Sequence, residues 1–521
     1  MKKTIKKIVC LILIFSFVFC TSCKKEVTNV PVVDGKEVVY GQNINLFSYY
    51  PDTLNPYTTG INKNFDMLML IYEGLFAIKG DGQAEGILAA DYMVSEDEKK
   101  YTIILKENVK FHNGKIFDAK DVIFTLDYIK EYAPNFLYIF ENVENYYANE
   151  NKVIFELKNR QFNFITRLDF PVMPSSTIIS VLNEDKLNMP VGTGPFKYQN
   201  NIMQKELMLI KNDEYHISGI PYLNSVTFKF LKDPSVAVSA FNNNEISVIL
   251  SDEFVWGDVS FNNQYAQIDF IGENFYFMAF NYENELLNDI NIRKMLLRMI
   301  DKKSLSEKVF QSKADLTNST LNPRLNYGGF YADLYSKEEC ALLAKKSGFT
   351  DKDKNGVWEK MVEENWYSTS FSVLVNADDD KLLKIADFLL QNAKDSKISL
   401  DIKRLSGEEY IAALEDGDYD IVIAKEKITS YNNLAQKIDF DGKYQVPYEM
   451  YLSLNSILNE VTYDKPYQKL KEFDDAFKEM VPYAAICYDT NSILWHHSIK
   501  NMSDWQKARL KGVTQSFVSF E

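Results

Sequence analysis

The chain has 521 residues, of which 46% are hydrophobic and 25% are charged, and its formal net charge is −15. This length exceeds one ordinary hydrophobic core, so we predict a globular protein of two or three domains. An acidic chain is repelled by phosphate backbones, which argues against nucleic acid as a partner. Aromatic residues make up 14% of the chain, a content that fits either ordinary cores or an aromatic ligand cleft.

The first residues, MKKTIKKIVCLILIFSFVFCTSC, have the three parts of a secretion signal: lysines, an apolar run and small residues. The apolar run, about twelve residues long, is too short to cross a bilayer as a helix. Its end resembles the lipobox of bacterial lipoproteins, although Cys20 stands where leucine is preferred. The resemblance implies a signal peptide at 1–22, a lipid attached at Cys23 and a tether at 23–36. We therefore predict a lipid-anchored protein on the outer face of the cell membrane.

From about residue 37 the chain alternates strand-like and helical patterns, which predicts α/β architecture with an antiparallel insertion. The last strand-like run, YDIVIAK, is apolar enough for a buried parallel strand. The strand-like segments are 38–50, 101–111, 152–159, 223–231 and 419–425, and apolar residues recur at helical spacing in 122–129 and 292–300.

The stretch FHNGKIFDAKDV places a histidine near two aspartates and has two interpretations. His112, Asp118 and Asp121 are the residue types of a metal or acid–base cluster. Alternatively, Asn113-Gly114 is a hairpin turn, and Asp118 caps a helix whose first turn contains Asp121. Because local geometry accounts for each residue separately, we predict the turn and the cap, with no metal and no cofactor.

Two further features are explained by local structure. In Gly192-Thr193-Gly194-Pro195-Phe196 we expect the glycines to adopt backbone conformations closed to other residues, and no P-loop Lys-Ser/Thr follows. Arg293 and Asp301 flank an apolar helix and are expected to set its ends and surface.

The segment DKDKNG beginning at Asp351 resembles the start of a calcium loop. Asp351, Asp353 and Asn355 fill the first, third and fifth positions, but Val362 occupies the twelfth, where calcium needs a bidentate glutamate. We therefore predict a polar turn, with calcium as the alternative.

Ordered motifs over residues 40–490 resemble those of the bacterial extracellular solute-binding proteins called family 5, the peptide and oligopeptide receptors of ABC importers. The segments that carry this resemblance are PDTLNP at 51–56, IYEGLF at 71–76, FHNGKIFDAKDVIFTL at 111–126, VGTGPFKY at 191–198, INIRKMLLRMIDKKSL at 290–305, EECALLAKKSGFTDKDKNG at 338–356, YDIVIA at 419–424 and MVPYAAICY at 480–488.

The resemblance implies a two-lobed fold of the periplasmic-binding-protein type (type II), with a third subdomain inserted in lobe one. A ligand would bind between the lobes and favour their closure, which an ABC permease and its ATPase would recognise. We predict a monomer that binds a peptide or another small solute. The implied parts are lobe one at 37–57, 186–275 and 484–521, the inserted subdomain at 58–185, lobe two at 276–483, and hinge crossings near Phe277–Tyr282 and Tyr483–Asp489.

The resemblance also suggests which residues contact the ligand. For each of them, core packing or hinge structure is the open alternative. The candidates by position are Tyr50 and Pro51 in the entry segment, Phe136 or Tyr138 as an aromatic over the cleft, and Tyr276 and Asn281 at the first crossing.

One segment departs from the family pattern. Many peptide receptors follow the YDIVIA-like strand with glycine-tryptophan and an aspartate that pairs with the peptide ammonium, whereas this chain has Lys425, Glu426 and Thr429 there. A buried ammonium without a counter-charge is costly. Glu426 is a candidate counter-charge and Lys425 a candidate partner for a ligand carboxylate, with solvated strand-end charges as the alternative. Peptide is the predicted ligand class, and the family also includes receptors for nickel complexes and oligosaccharides.

An enzyme and a sensing lipoprotein are the two alternative functions. The chain has no GxSxG or HExxH motif and only four histidines, at 112, 216, 496 and 497, so we predict that it is not an enzyme. A surface lipoprotein that uses the same fold for sensing is the second function. Nothing in the sequence supports a disulfide between Cys340 and Cys487.

Overall fold

The described part of the protein is given by a computed structural model. Cys23, Thr429 and the predicted signal peptide lie outside it. In the described ranges no helix is both long and apolar enough to cross a bilayer. The described residues are 32–33, 36–79, 83–161, 164–179, 182, 189–250, 265–323, 331–428, 444–461, 466–502, 514 and 516–518.

Strands and helices alternate along the chain, as the sequence patterns predict. The strands are β1 Val32–Val33, β2 Lys36–Glu37, β3 Asn43–Ser48, β4 Phe76–Ile78, β5 Ala84–Gly86, β6 Ala89–Val94, β7 Lys100–Leu105, β8 Val143–Asn149, β9 Lys152–Leu157, β10 Phe196–Ile202, β11 Glu206–Lys211, β12 Ser225–Phe230, β13 Val248–Leu250, β14 Tyr265–Phe280, β15 Ala314–Leu316, β16 Glu359–Val362, β17 Asn365–Ser368, β18 Ser370–Asn376, β19 Ser399–Leu405, β20 Ile421–Lys427, β21 Tyr483–His496, β22 Ile499–Lys500 and β23 Phe517–Val518. The helices are α1 Asn62–Leu68, α2 Ala119–Tyr132, α3 Pro234–Asn242, α4 Glu285–Asn288, α5 Ile290–Arg298, α6 Lys302–Val309, α7 Lys337–Lys346, α8 Asp380–Asp395, α9 Gly407–Glu415, α10 Tyr448–Asn459 and α11 Pro466–Met480, with 3₁₀ turns at Pro134–Phe140 and Phe164–Arg167.

One mixed sheet runs through the molecule in the order β10-β11-β12-β3-β13-β21-β14-β20-β18-β19, with β15 also paired to β21. β20 is parallel to β18 and antiparallel to β14, so the predicted buried parallel strand is parallel on one side only. Its residues Ile421 to Ala424 are buried, as their apolar run indicates. A separate sheet, β6-β7-β9-β8, is wholly antiparallel and matches the predicted insertion.

The two longest strands join the halves of the large sheet. β14 and β21 pair antiparallel from Tyr265 opposite His496 to Ala279 opposite Tyr483, and their register shifts between Ile271 and Phe275. The predicted hinge crossings, near Phe277–Tyr282 and Tyr483–Asp489, fall at one end of this pair.

The buried apolar residues form separate clusters. The largest draws mainly on residues between 44 and 228 and includes the four-stranded sheet and α2. Two others lie on opposite faces of β14 and β20, one with α5 to α8 and the other with α9 to α11. Alternate side chains of a strand point to opposite faces, which explains why Ile421 and Ile423 belong to one cluster and Val422 and Ala424 to the other.

The interpretation of FHNGKIFDAKDV as a turn and a helix cap is confirmed. The Asp118 carboxylate accepts from Lys120 N at 2.7 Å, and the Asp121 carboxylate accepts from Asp118 N at 2.9 Å, so the two form a capping box at the start of α2. Gly114 has φ of +83° in the preceding turn. That turn closes only an isolated bridge between Lys110 and Ile116, so the predicted hairpin is a single bridge.

The expectation that Arg293 is a surface residue is wrong. Its side chain is buried, with a residue exposure of 4%, and it donates to four backbone carbonyls at 2.8–3.1 Å. Asp301 behaves as predicted, since its carboxylate caps α6 by accepting from Ser304 N at 3.0 Å. The four carbonyls that Arg293 binds belong to Leu287, Asn288, Met480 and Val481.

The segment from Asp351 forms a polar turn, as predicted. Asp351 pairs with Lys397 at 2.5 Å, and the Asn355 amide donates to both Asp353 and Glu359 at 3.1 Å. Within the described ranges no group of three or more acidic, histidine or cysteine side chains is arranged to hold a metal. Cys340 and Cys487 are buried free thiols.

Candidate functional site

The entry segment after β3 is held in a compact turn. Tyr50 is half-buried and packs edge-to-face on Phe230, with ring centroids 5.4 Å apart, and Pro51 is buried. The next residue, Asp52, accepts hydrogen bonds from Thr59 Oγ1 and Gly60 N, each at 2.7 Å. These bonds fix the backbone that carries Tyr50 and Pro51.

The aromatic residues Phe136 and Tyr138 lie beside this entry segment. Both are half-buried in the 3₁₀ turn Pro134–Phe140, with their rings stacked at 6.2 Å. The Phe136 ring also contacts the Tyr57 ring at 5.0 Å, and the Tyr57 hydroxyl donates to the Pro171 carbonyl. The structure therefore brings the entry segment and the predicted aromatic residues into one cluster.

Tyr276 and Lys425 lie opposite each other on β14 and β20. The Tyr276 ring is buried against Phe310, at 5.1 Å. The Lys425 ammonium pairs with the Asp379 carboxylate, which also caps α8 by accepting from Lys381 N at 3.0 Å. Lys425 therefore stands at the carboxyl ends of the parallel strands β18 and β20, the edge where open α/β sheets bind ligands.

Glu426 points to the opposite face of β20 from Lys425. It lies opposite Phe275 and is bonded to the Tyr444 hydroxyl, close to Tyr410. Burial, and then the neighbouring Tyr410 and Glu426, raise the pKa of Tyr444. A half-buried carboxylate beside two phenols is poised to accept further donors, including an ammonium.

Asn281 has a structural role at the end of β14. Its side-chain amide donates to the carbonyls of Gly417 and Tyr419, at 3.0 and 2.9 Å, and its oxygen accepts from Glu283 N. Both amide hydrogens and the oxygen are used within this turn. Asn281 therefore fits the alternative of hinge structure better than that of ligand contact.

The β14–β21 pair contains a close approach that is not among the predicted site features. Gly272 lies where the register shifts, and a Cβ there would stand 1.9 Å from Asp489 Oδ1. Asp489 accepts from Asn274 N at 3.1 Å and from Asn274 Nδ2 at 2.6 Å, and the Gly272 carbonyl accepts from Asn322 at 2.9 Å. Burial raises the pKa of Asp489 even though the Asn274 bonds lower it. The signal available in the sequence was the lone glycine within a strand pattern.

The glycine loop at 192–194 packs on the IYEGLF segment. Gly194 N donates to the Ile71 carbonyl at 2.8 Å, and Thr193 Oγ1 donates to the buried Glu73 carboxylate at 2.9 Å. Neither glycine has a left-handed φ, so the expected special backbone conformation is wrong. The glycines are needed because the backbone of residues 70–72 leaves no room for a side chain.

The Glu73 carboxylate is the centre of a buried polar cluster. The Tyr215 hydroxyl donates to it at 2.7 Å, and His216 Nε2 lies 3.0 Å from it. His112 contacts the same loop: its Nε2 lies 2.9 Å from the Gly194 carbonyl and its Nδ1 lies 3.4 Å from Gly192 N. A carbonyl can only accept, so Nε2 carries the proton and Nδ1 accepts, which makes His112 a neutral structural residue.

Acid should weaken this loop. Burial lowers the pKa of His112 to about 4, whereas an unfolded chain has a histidine pKa of about 6.5. The unfolded state therefore binds more protons between these values, and stability falls as pH drops through that window. Because of His112, we expect the free energy of unfolding to be about 2 kcal/mol lower at pH 5 than at pH 7.5.

Urea titrations at pH 7.5, 6 and 5 check this expectation. The difference in unfolding free energy between the wild type and His112→Gln should shrink by that amount on acidification. His497→Gln, at an exposed histidine, should keep the wild-type pH dependence. If the difference in unfolding free energy between the wild type and His112→Gln did not change with pH, His112 would not be a neutral residue of the folded protein.

Comparison with known proteins identifies the fold and the family. The profile of the bacterial extracellular solute-binding proteins, family 5 Middle, matches residues 83–433. The oligopeptide-binding protein AppA of Bacillus subtilis is 26% identical over 325 residues, covering 58% of this chain and 57% of AppA. The nickel-binding periplasmic protein of Escherichia coli is 25% identical over 326 residues, covering 57% of this chain and 59% of that protein. This chain thus spans less than two thirds of the length of these relatives.

A solved structure extends the comparison to the whole fold. The murein tripeptide-binding periplasmic protein MppA, in an unliganded open form, has a TM-score of 0.76 at 15% identity and covers 92% of this chain and 98% of its own. The predicted two-lobed periplasmic-binding-protein fold is therefore confirmed. The matched relatives are solute-binding proteins and not enzymes, in agreement with the sequence prediction. Because the family profile covers more than half of the chain, the protein belongs to the bacterial extracellular solute-binding proteins of family 5.

Proposed function

We propose that this protein is the solute-binding receptor of an ABC importer, which captures a peptide between two lobes and delivers it to a permease and its ATPase. Membership of the solute-binding family is the observation that carries the proposal. The receptor acts by binding alone: the ligand favours the closed state through contacts that the open state lacks, and the permease recognises closure.

The proposed lobes follow the division expected from the sequence. Lobe one comprises 37–57, 186–275 and 484–521 with the subdomain 58–185 inserted, and lobe two comprises 276–483. The largest cluster packs on the first half of β14 and the two others on its second half, which supports this division. The two crossing strands would serve as the hinge, with Gly272 and Asp489 at the point where their register shifts.

Peptide is the proposed ligand class. A relative is named as an oligopeptide-binding protein, while another is named for nickel, so the family match alone leaves the class open. The proposed wall on lobe one carries Tyr50, Pro51, Phe136 and Tyr138. The three aromatic residues among them suit roomy side-chain pockets. On lobe two, the proposed ligand residues are Tyr276 and Lys425 on one face of the sheet and Glu426 on the other, so the site would enclose the carboxyl end of β20.

We propose that the protein acts as a monomer held to the outer face of the cell membrane by a lipid at Cys23. The lipobox-like segment supports this anchor. Metabolic labelling with radioactive palmitate tests it, since Cys23→Ser should abolish incorporation.

Native mass spectrometry of the purified protein tests the proposed ligand class. We expect a mass increment that, after denaturation, yields one or more peptides. A glycan or a metal chelate in their place would overturn the peptide assignment but keep the receptor. A covalently altered solute would overturn the receptor itself.

Glu426→Gln is expected to weaken binding of a free-amine peptide about ten-fold or more, because a hydrogen bond to a charged group contributes about 1.5–3 kcal/mol. The N-acetylated form of the same peptide should bind equally well to both proteins, since it has no ammonium. Isothermal titration calorimetry measures both affinities. The glutamine variant keeps the size of the side chain and an acceptor for Tyr444, so it isolates the charge. Equal losses for both peptides would remove Glu426 from the ammonium role.

A further inference from the structure

One hydrogen bond joins parts of the chain that lie 299 residues apart, on the two sides of the proposed cleft. Arg160, which follows β9 in the inserted subdomain, donates from Nη2 to the carbonyl of Asn459. Asn459 is the last residue of α10, in the proposed lobe two. This contact does not involve the crossing strands.

The end of α10 is a favourable place for a cation. The last carbonyls of a helix have no partner within the helix and carry a partial negative charge, which a nearby cation stabilises. The last turn of α10 contains no basic residue of its own. Arg160 therefore adds a cation at this helix end from the other side of the proposed cleft, beside the Lys469 ammonium that pairs with Glu460 at 2.7 Å.

One carboxylate of the inserted subdomain lies beside the Arg160 guanidinium. Glu98 Oε2 lies 3.9 Å from Arg160 Nε, and both side chains are largely shielded, with exposures of 20% and 34%. Glu98 belongs to the same subdomain as Arg160, and its charge favours this position of the guanidinium. On the α10 side, Lys469 chiefly lowers the pKa of Glu460, and Arg160 contributes to the same shift. The guanidinium therefore has Glu98 beside it on the side of the inserted subdomain and the Asn459 carbonyl as its acceptor on the side of α10.

We propose that Arg160 is an electrostatic clasp that holds the two lobes together, with Glu98 as its positioning residue and the carboxyl end of α10 as its acceptor. This inference rests on the proposed two-lobed clamp. The clasp closes when the lobes meet and breaks when they part. It raises the closed population before any ligand contributes contacts, so it sets part of the apparent ligand affinity.

Small-angle X-ray scattering of the purified, solute-free protein tests the clasp. We expect Arg160→Ala to lower the closed-to-open ratio about five-fold, which corresponds to about 1 kcal/mol at 1.4 kcal/mol per factor of ten. At 10 mM salt, the radius of gyration of Arg160→Ala should exceed that of the wild type. Arg160→Lys keeps the charge without the planar fork and should lie between the two.

Ionic strength separates the clasp from an ordinary packing contact. At 1 M salt the screening length falls to about 3 Å, so the wild-type radius should rise to that of Arg160→Ala, whose own radius should not change. Arg404→Ala removes a partly exposed arginine that pairs at 2.6 Å with Asp387 inside lobe two, and it should behave as the wild type.

The outcomes separate the clasp from the receptor. Superimposable curves for the wild type and Arg160→Ala at 10 mM salt would overturn the clasp, even if the wild type carries a solute and contracts on binding it. A salt-dependent expansion that Arg160→Ala abolishes, in a protein that binds no peptide, glycan or metal chelate when these are added, would retain the clasp and overturn the receptor.

Discussion

Replacing Gly192 with alanine is expected to lower the free energy of unfolding by about 3–5 kcal/mol, at the severe end of what overpacking costs. The added Cβ would stand 2.1 Å from the Ile71 carbonyl oxygen and 2.7 Å from the Ile71 carbonyl carbon. Both are backbone atoms of a buried segment, so no side-chain rotation relieves the clash. The loop would separate from residues 70–72 and break the Thr193–Glu73 bond.

Urea denaturation followed by circular dichroism measures this loss. Gly60→Ala is the matched control, because its new Cβ would meet nothing closer than 3.7 Å, and its stability should stay within about 0.5 kcal/mol of the wild type. If Gly192→Ala were as stable as Gly60→Ala, the close approach of the glycine loop to Ile71 would be refuted.

Replacing Arg293 with alanine is expected to cost about 3–5 kcal/mol of unfolding free energy, since four buried or partly buried carbonyls lose the guanidinium donor at once. The guanidinium ties the Leu287 carbonyl, before α5, to the Met480 and Val481 carbonyls at the end of α11. It also lies over the Tyr282 ring, at 5.3 Å. The substitution therefore loosens the packing beside the second predicted crossing.

Thermal and urea unfolding of three variants checks the role of Arg293. Arg293→Lys should recover only a minor part of the loss, because one ammonium cannot reproduce the fixed fork of donors. Arg404→Ala, which removes a partly exposed ion pair, should cost less than about 1 kcal/mol. Full stability of Arg293→Lys would show that charge alone, and not the fork geometry, holds these carbonyls.

The fold was predictable where the sequence pattern is local or repeated. Helical spacing identified the buried face of α2, and Asp118 marked its start, because capping depends only on residues a few positions apart. The apolar run Ile421 to Ala424 identified a central strand. The mixed parallel and antiparallel pairing of β20 was not predictable, because β14 comes from a segment about 150 residues away in the chain.

Most of the contacts that the sequence did not predict join residues far apart in the chain. Arg293 resembles a surface arginine until Met480 and Val481 are placed beside it. Asp379 looks like an ordinary helix cap, and only the fold pairs it with Lys425. The family resemblance did suggest Tyr50, Pro51 and Phe136 as ligand contacts, and the Tyr57–Phe136 contact joins the segments that carry them. Whether these residues touch a ligand stays a prediction.

The most direct measurement is a small-angle X-ray scattering titration of the solute-free protein with the compound that co-purifies with it. Saturation should shrink the radius of gyration, and mass analysis of the material released afterwards should return the starting compound intact. An unchanged radius at saturation, or a product of different mass, would contradict the idea of two lobes that grip a solute without transforming it.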